Sequence, residues 1–124
     1  MTDAFQKRLD LLRDRFRGRM ATEQVALQNI VNDLERGGSM DQSQEEIRRI
    51  AHGLAGAGGT FGFAGVSTCA AALEEYVLAA PQTAELVEGG RTLVHELERA
   101  LGWPAPATLQ TLSIHSAANR LSKA

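Results

Sequence analysis

The sequence predicts an all-α fold, an up-and-down four-helix bundle with one additional helix at the N-terminal or C-terminal end. Apolar residues recur at steps of three and four along most of the chain, which is the period of an amphipathic helix. No segment shows convincing alternation of apolar and polar residues, and β-branched residues are few. The segments between the periodic stretches are short, and short connections favour antiparallel neighbours in a bundle.

Two helices are predicted before Gly38. The first is capped by Thr2 or Asp3 and ends near Gly18. Its apolar stripe consists of Phe5, Leu9, Leu12 and Phe16. The second stops at Gly37 and Gly38. Its apolar stripe consists of Val25, Leu27, Ile30, Val31 and Leu34.

Three further helices follow. Ser43 and Glu46 have the spacing of a capping box, so the third helix is predicted to begin there. Its apolar face consists of Ile47, Ile50, Ala51, Leu54 and Gly58. After a turn over residues 59–63, the fourth helix carries Val66, Cys69, Ala70, Leu73 and Val77 and ends before Pro81. The fifth helix begins at Thr83 and is closed by Gly102. The predicted bundle spans residues 1–103, and residues 104–124 form a tail or a short helix.

The composition of the chain argues against several classes of protein. The chain has 124 residues, enough for one domain, with 13 basic and 15 acidic residues and a net charge of −2. This balance argues against a nucleic-acid binder. Cys69 is the single cysteine, so an internal disulfide is excluded and a structural zinc site is disfavoured. No apolar run approaches the roughly 20 residues of a membrane span, and Met1 is not followed by a signal-peptide pattern. We expect a cytoplasmic monomer without membrane partners.

One stretch has an unusual composition. Glycines stand at positions 53, 56, 58 and 59, within or at the end of the third predicted helix. Each glycine inside a helix costs about 1 kcal/mol relative to alanine, so several in one stretch indicate a steric requirement. For Gly58, which lies on the apolar face, close packing between helices is a sufficient reason.

His52 lies in the same stretch, about 140° around the helix from the apolar stripe and hence toward solvent. Arg48 and Gly56 are one turn away, and Ala55 and Gly59 flank the histidine. An imidazole in such a clearing is accessible to a reactive group on another protein. Its unprotonated nitrogen is a nucleophile near neutral pH, and Arg48 would attract a phosphoryl group. A lone exposed histidine is, however, more often inert.

The motif His52-x-Leu54-x-Gly56, followed by Gly62 and later by Leu73-Glu74, resembles the histidine-containing phosphotransfer (HPt) family. Cys69 also falls where many members carry a cysteine. The resemblance implies that His52 accepts a phosphoryl group from a receiver aspartate and passes it to another receiver. The implied partners are response-regulator receiver domains and a hybrid sensor histidine kinase. The chain would need no cofactor of its own, since the receiver supplies Mg²⁺, and it would have no independent turnover.

The sequence departs from the family pattern at Ala55, where most members have a lysine three residues after the histidine. Arg48 or Arg49 is the candidate substitute for that cation, and Gly56 and Gly59 complete the predicted surroundings of the phosphoryl group. Without a substitute cation, the alternative is an adaptor that binds receivers or a kinase and carries no phosphate.

The predicted receiver-docking surface consists of Ala55, Phe61, Phe63 and parts of the first two helices. Both aromatic rings could equally be core residues at the end of the bundle. The glycine-rich stretch lacks the lysine and the preceding strand of a nucleotide-binding loop. His52, His95, His115 and Cys69 have no metal-ligand spacing.

Two clusters of charged residues, an acidic pair and a run of arginines, are interpreted as solvent-exposed helix surface and not as catalytic groups. Glu74 and Glu75 are expected at a solvated helix edge, in contact with arginines of the first helix. The first helix also carries a run of arginines interleaved with aspartates, which predicts a solvated face and leaves an acidic partner as the alternative. These arginines are Arg13, Arg15, Arg17 and Arg19.

Overall fold

The structure, a computed structural model, describes residues 2–79 and 81–102. These residues form four α-helices and no strand, which confirms the predicted all-α four-helix bundle. The helices are α1 (Thr2–Glu35), α2 (Met40–Thr60), α3 (Ala64–Leu78) and α4 (Thr83–Leu101). Within the described part of the chain, no helix is long and apolar enough to cross a membrane.

The four helices pack in a ring. α1 lies between α2 and α4, and α3 packs against the same two helices on the opposite side, with few diagonal contacts. The short connections make each helix antiparallel to the one before it. The centre of the ring is filled by aliphatic side chains that the helical stripes of the sequence direct inward. The largest fully buried side chains include Met20, Leu27, Ile47, Leu54, Leu86 and Leu97.

The predicted break at Gly18 is wrong, because the first two predicted helices are one continuous helix, α1. Gly18 is exposed, and its missing Cβ would contact nothing within 4 Å. The inward-facing residues continue through this point without a change of phase, from Phe16 to Met20 and on to Leu27. One exposed helical glycine costs about 1 kcal/mol, which the burial of these side chains exceeds. The predicted additional N-terminal helix is therefore the first part of α1.

The predicted start of the third helix at Ser43 is also wrong. α2 begins one turn earlier, with Ser39 as its N-cap, and the backbone N–H of Gln42 donates to the Ser39 hydroxyl at 3.4 Å. Ser43 lies inside the helix and is buried. Both serines satisfy the preference for a small polar cap, but the sharp end of α1 at Gly37 (φ +88°) decides in favour of Ser39.

The turn between α2 and α3 fixes the end of the bundle that holds the candidate site. Gly62 has φ +85°, a left-handed conformation that favours glycine. The N–H of Phe63 donates to the carbonyl of Gly58 at 2.8 Å, and the N–H of Gly62 donates to that of Gly59. This pair of bonds is a Schellman motif, which reverses the chain and turns Phe63 back toward the core.

The predicted bounds of the last two helices are confirmed. α3 ends at Leu78, before Pro81, and α4 runs from Thr83 to Leu101 with Gly102 in a left-handed conformation (φ +71°). The predicted tail or C-terminal helix over residues 104–124 lies outside the described residues.

Candidate phosphoacceptor site on helix α2

His52 projects from the outer face of α2, and 72% of its side chain is exposed. The neighbouring Ala51 is fully buried, because the apolar stripe of α2 faces the core and turns His52 outward. The predicted exposure of His52 is therefore correct. An exposed imidazole on a rigid helix is open to a second protein without any rearrangement of the bundle.

The carboxylate of Glu74 on α3 fixes the orientation of the His52 ring. Nδ1 of His52 lies 2.6 Å from Oε2 of Glu74, and the Glu74 side chain is only 22% exposed. An ionised carboxylate only accepts hydrogen bonds, so Nδ1 is the donor and carries the ring proton. In the neutral imidazole, Nε2 then holds the free lone pair and points away from Glu74. The contact therefore leaves the Nε2 lone pair on the exposed side of the ring.

This contact corrects the interpretation of Glu74 as a solvated helix edge touching the arginines of the first helix. Glu75, the next residue, is exposed, as predicted for an edge position. The sequence held a signal for Glu74, since the Leu73-Glu74 pair belongs to the family pattern. Periodicity alone did not place α3 beside His52.

The glycines leave space around the imidazole, as the sequence predicts. Gly56, one turn after His52, is exposed, and a Cβ there would contact nothing within 4 Å. Gly59 is also exposed, and its nearest neighbour in the same test is the Ser67 hydroxyl, 3.5 Å away. Ala55 is half-buried, and its carbonyl accepts a hydrogen bond from that hydroxyl at 2.6 Å. Small residues therefore line the approach to Nε2.

Gly58 has the packing role that was predicted for it. A Cβ on Gly58 would lie 3.1 Å from the backbone nitrogen of Ser67 and 3.2 Å from the carbonyl oxygen of Phe63. These neighbours are backbone atoms, which cannot move aside as a side chain can. Gly58 therefore allows the start of α3 to pack closely against the end of α2.

The two predicted substitutes for the missing lysine differ in availability. Arg48 forms a bidentate pair with Glu45, in which Nε and Nη2 donate at 2.9 Å and 2.7 Å. This pair holds the pKa of Glu45 below its usual value. Arg49 is exposed and has no ion pair within residues 2–79 and 81–102. The guanidinium of Arg48 is thus held by Glu45, whereas that of Arg49 makes no such pair.

A third cation comes from α1. The guanidinium of Arg19 lies directly over Gly53, the residue after His52, so that a Cβ on Gly53 would collide with Nη2 of Arg19. Gly53 therefore makes room for an arginine from the neighbouring helix. The sequence predicts Arg19 as part of a solvated face, and this prediction is incomplete because the guanidinium packs over Gly53. The glycine at position 53 indicated that another group packs closely there, but that this group is Arg19 depends on how α1 packs against α2.

The aromatic residues at this end of the bundle form a small cluster. The Phe16 ring centroid lies 5.5 Å from that of Phe61 and 5.6 Å from that of Phe63. Phe63 is only 8% exposed and is covered by Arg13 and Arg17 from α1. The prediction of Phe63 as a docking residue is therefore corrected in favour of the core alternative. Phe61 is half-buried and keeps some surface.

The remaining titratable candidates lie apart from His52. Cys69 is half-buried between α3 and α4, and burial raises the pKa of its thiol. His95 is exposed on α4, and His115 lies outside the described residues. Within the described part of the chain, no three histidine, cysteine or acidic side chains are placed to hold a metal ion.

Comparison with protein families matches residues 11–103 to the family model of the Hpt domain. The chain belongs to the Hpt domain family. Comparisons with curated proteins and with solved structures gave no significant match. Hpt domains are helical bundles that serve histidine phosphotransfer in phosphorelays and interact there with receiver domains and kinases. The match covers all of α2, α3 and α4 and most of α1.

Proposed function

We propose that this Hpt domain protein carries a phosphoryl group on Nε2 of His52 and shuttles it between the aspartates of receiver domains. The observation that supports this function best is the contact between His52 and Glu74. It combines an exposed ring, a fixed tautomer with its lone pair on Nε2, and an approach lined by Gly56 and Gly59.

The proposed transfer is an in-line displacement at phosphorus. The Nε2 lone pair attacks the phosphorus of an aspartyl phosphate, the N–P bond forms, and the P–O bond to the aspartate breaks. The aspartate leaves as a carboxylate with the bonding electrons. The phosphorylated imidazole keeps its proton on Nδ1, where the Glu74 carboxylate stabilises the positive charge on the ring. The same steps in reverse deliver the group to a second receiver.

Positive charge near the phosphoryl oxygens would come from Arg19 and Arg49 in place of the family lysine. Neither arginine is paired with a carboxylate in the described residues, and Arg19 lies over the residue next to His52. Positioning and charge neutralisation carry most of the rate of phosphoryl transfer. Mg²⁺ would be held by the receiver, so the Hpt protein contributes the nucleophile and these cations.

A second candidate function is favoured by Ala55. If Arg19 and Arg49 do not replace the missing lysine, the domain would bind receivers or a kinase as an adaptor and would carry no phosphate. The fold and the exposed face around His52 would serve binding equally well in this case, so only phosphate acceptance separates the two functions.

The test is phosphate acceptance by the wild type, His52→Gln and the control His95→Gln, an exposed histidine on α4. Each protein is mixed with phosphorylated receivers and autophosphorylated hybrid kinases of the source organism. Its mass is then measured by intact-protein mass spectrometry at neutral to alkaline pH. We expect one acid-labile phosphate on the wild type and on His95→Gln, and none on His52→Gln. Acceptance by His52→Gln would overturn the proposal, and receiver binding without acceptance by the wild type would establish the adaptor.

A further inference from the structure

The N-terminal part of α1 extends beyond the bundle. Gly90 of α4 packs against Val31, and since the two helices are antiparallel, α4 ends near the level of Met20. The turn between α2 and α3 lies beside Phe16. None of residues 2–15 is buried. Arg13 still contacts the α2–α3 turn at Gly62 and Phe63, so residues 2–12, about 16 Å of helix, project past the other three helices.

The projecting helix has an apolar seam on one face. Phe5, Leu9 and Leu12 follow one another at steps of four and three, and the buried Phe16 continues the same line into the bundle. Phe5 is 67% exposed.

Arginines border this seam, and aspartates are kept away from it. On a helical wheel, Arg8 and Arg15 lie within about 90° of the seam on one side, and Arg13 lies on the other. The acidic residues of the segment are on the opposite face, and they are Asp3, Asp10 and Asp14. We call the seam with its arginine borders the outer face of α1.

The basic character of this segment contrasts with the rest of the molecule. Residues 2–19 contain six of the 13 basic residues and three of the 15 acidic residues, so their net charge is +3. The remaining residues contain seven basic and twelve acidic residues, a net charge of −5. None of the six basic side chains forms an ion pair within the described residues. The arginines that border the outer face are therefore not paired with a carboxylate in the described part of the chain.

Charge decides which occupant fits the outer face. A second copy would bring arginine borders against arginine borders in either helix orientation, which is repulsive. Residues 103–124 contain no acidic residue and carry Arg120 and Lys123, so this segment does not complement the face either. The complementary surface has apolar side chains at its centre and carboxylates at its edges.

We propose that the outer face of α1 docks the receiver domain during phosphoryl transfer, through an apolar surface of the receiver that is bordered by carboxylates. This inference rests on the proposed function. The outer face runs into the phosphoacceptor site, because Arg19 lies on the Arg8–Arg15 side of α1 and reaches Gly53 beside His52. Phe5, Arg8 and Leu9 precede the segment matched to the Hpt family, whereas Leu12, Arg13 and Arg15 lie within it.

The test compares variants of the two faces of α1. Arg8→Glu/Arg15→Glu removes the positive border, with Lys7→Glu on the opposite face as the charge control. Leu9→Ser shortens the seam, with Leu11→Ser, 52% exposed on the other side, as its control. The probe is the isolated receiver domain that exchanges phosphate fastest with the wild type. Phosphotransfer rate is measured against receiver concentration at low and high salt, and circular dichroism verifies helix content.

We expect the border variant to raise the half-saturating receiver concentration about tenfold at low salt, with a smaller change at high salt. Leu9→Ser is expected to raise it several-fold, and neither variant is expected to change the rate at saturation much. Equal behaviour of the variants and their controls would overturn the inference while leaving the proposed function intact. If the variants lose binding to phosphatidylglycerol vesicles while phosphotransfer is unchanged, the partner of the outer face is a membrane and not a receiver, and the inference is overturned. If no receiver phosphorylates the wild type, the proposed function is wrong, and the inference, which rests on it, is wrong as well.

Discussion

Nδ1 of His52 on α2 lies 2.6 Å from Oε2 of Glu74 on α3. The bond joins two helices that pack side by side and leaves Nε2 of the ring exposed to solvent. Since the Glu74 side chain is largely enclosed, its carboxylate is held in place. The exposed histidine is therefore oriented by a second helix of the bundle.

Glu74→Gln is expected to slow phosphate acceptance about five- to tenfold, because a neutral amide replaces a charge-assisted hydrogen bond. The fold should be unchanged, and nitrogen NMR of the imidazole should show a larger share of the tautomer protonated at Nε2. Glu75→Gln is the matched control, since Glu75 is adjacent and exposed. Equal rates for the two variants would show that the Glu74 carboxylate does not assist phosphate acceptance.

Arg19→Ala is expected to slow phosphate acceptance at least threefold by removing a cation beside the site. Gly53→Ala should have a similar effect, because the new methyl group displaces the guanidinium. Adding Ala55→Lys to Arg19→Ala should restore the rate, since it places an ammonium at the position that the family uses. Arg36→Ala, just after the end of α1 that lies far from His52, is the control. Failure of Ala55→Lys to rescue would argue against a shared electrostatic role.

Gly56→Leu is expected to block phosphate transfer with little loss of helix content. The open space beside Gly56 would be filled by a branched side chain next to Nε2, which hinders the approach of a receiver. Transfer kinetics and circular dichroism measure the two effects separately. An unchanged transfer rate would mean that the clearing has no role in docking.

Gly58→Ala and Gly56→Ala are expected to change stability in opposite directions. At Gly58 the methyl group meets backbone atoms at 3.1 to 3.3 Å, and the resulting strain should cost about 1–3 kcal/mol. At Gly56 it meets nothing, so the better helix propensity of alanine should add up to about 1 kcal/mol. Urea denaturation gives both values. A stable Gly58→Ala protein would show that α2 and α3 have room to separate.

The Cys69 thiol is expected to react slowly with iodoacetamide in the folded protein. Burial, with a smaller contribution from Glu96, raises its pKa above the ordinary 9.0, so less thiolate is present at a given pH than for a free thiol. The alkylation rate, followed by intact mass, should continue to rise as the pH passes 9.0. Unfolding in guanidinium chloride should abolish the difference. Equal rates for the folded and unfolded chain would contradict the burial.

Part of the candidate site was predictable from the sequence. The exposure of His52 follows from its angle to the apolar stripe of α2, and the clearing follows from Gly56 and Gly59. The end of α3 before Pro81 and the left-handed turn at Gly102 also follow from local chemistry. In these cases the cause lies within about one helical turn of its effect.

The sequence by itself determined the all-α class, the inward faces of α2 and α3 and the outward position of His52, because helical periodicity and the glycine and proline signals act over a few neighbouring residues. The tertiary structure decided three further points. It merged the two N-terminal helices, since packing against α2 and α4 outweighs one exposed glycine at position 18. It also placed Glu74 on the imidazole and Arg19 over Gly53. These contacts join residues more than 20 positions apart, and the side-by-side packing of the helices sets them.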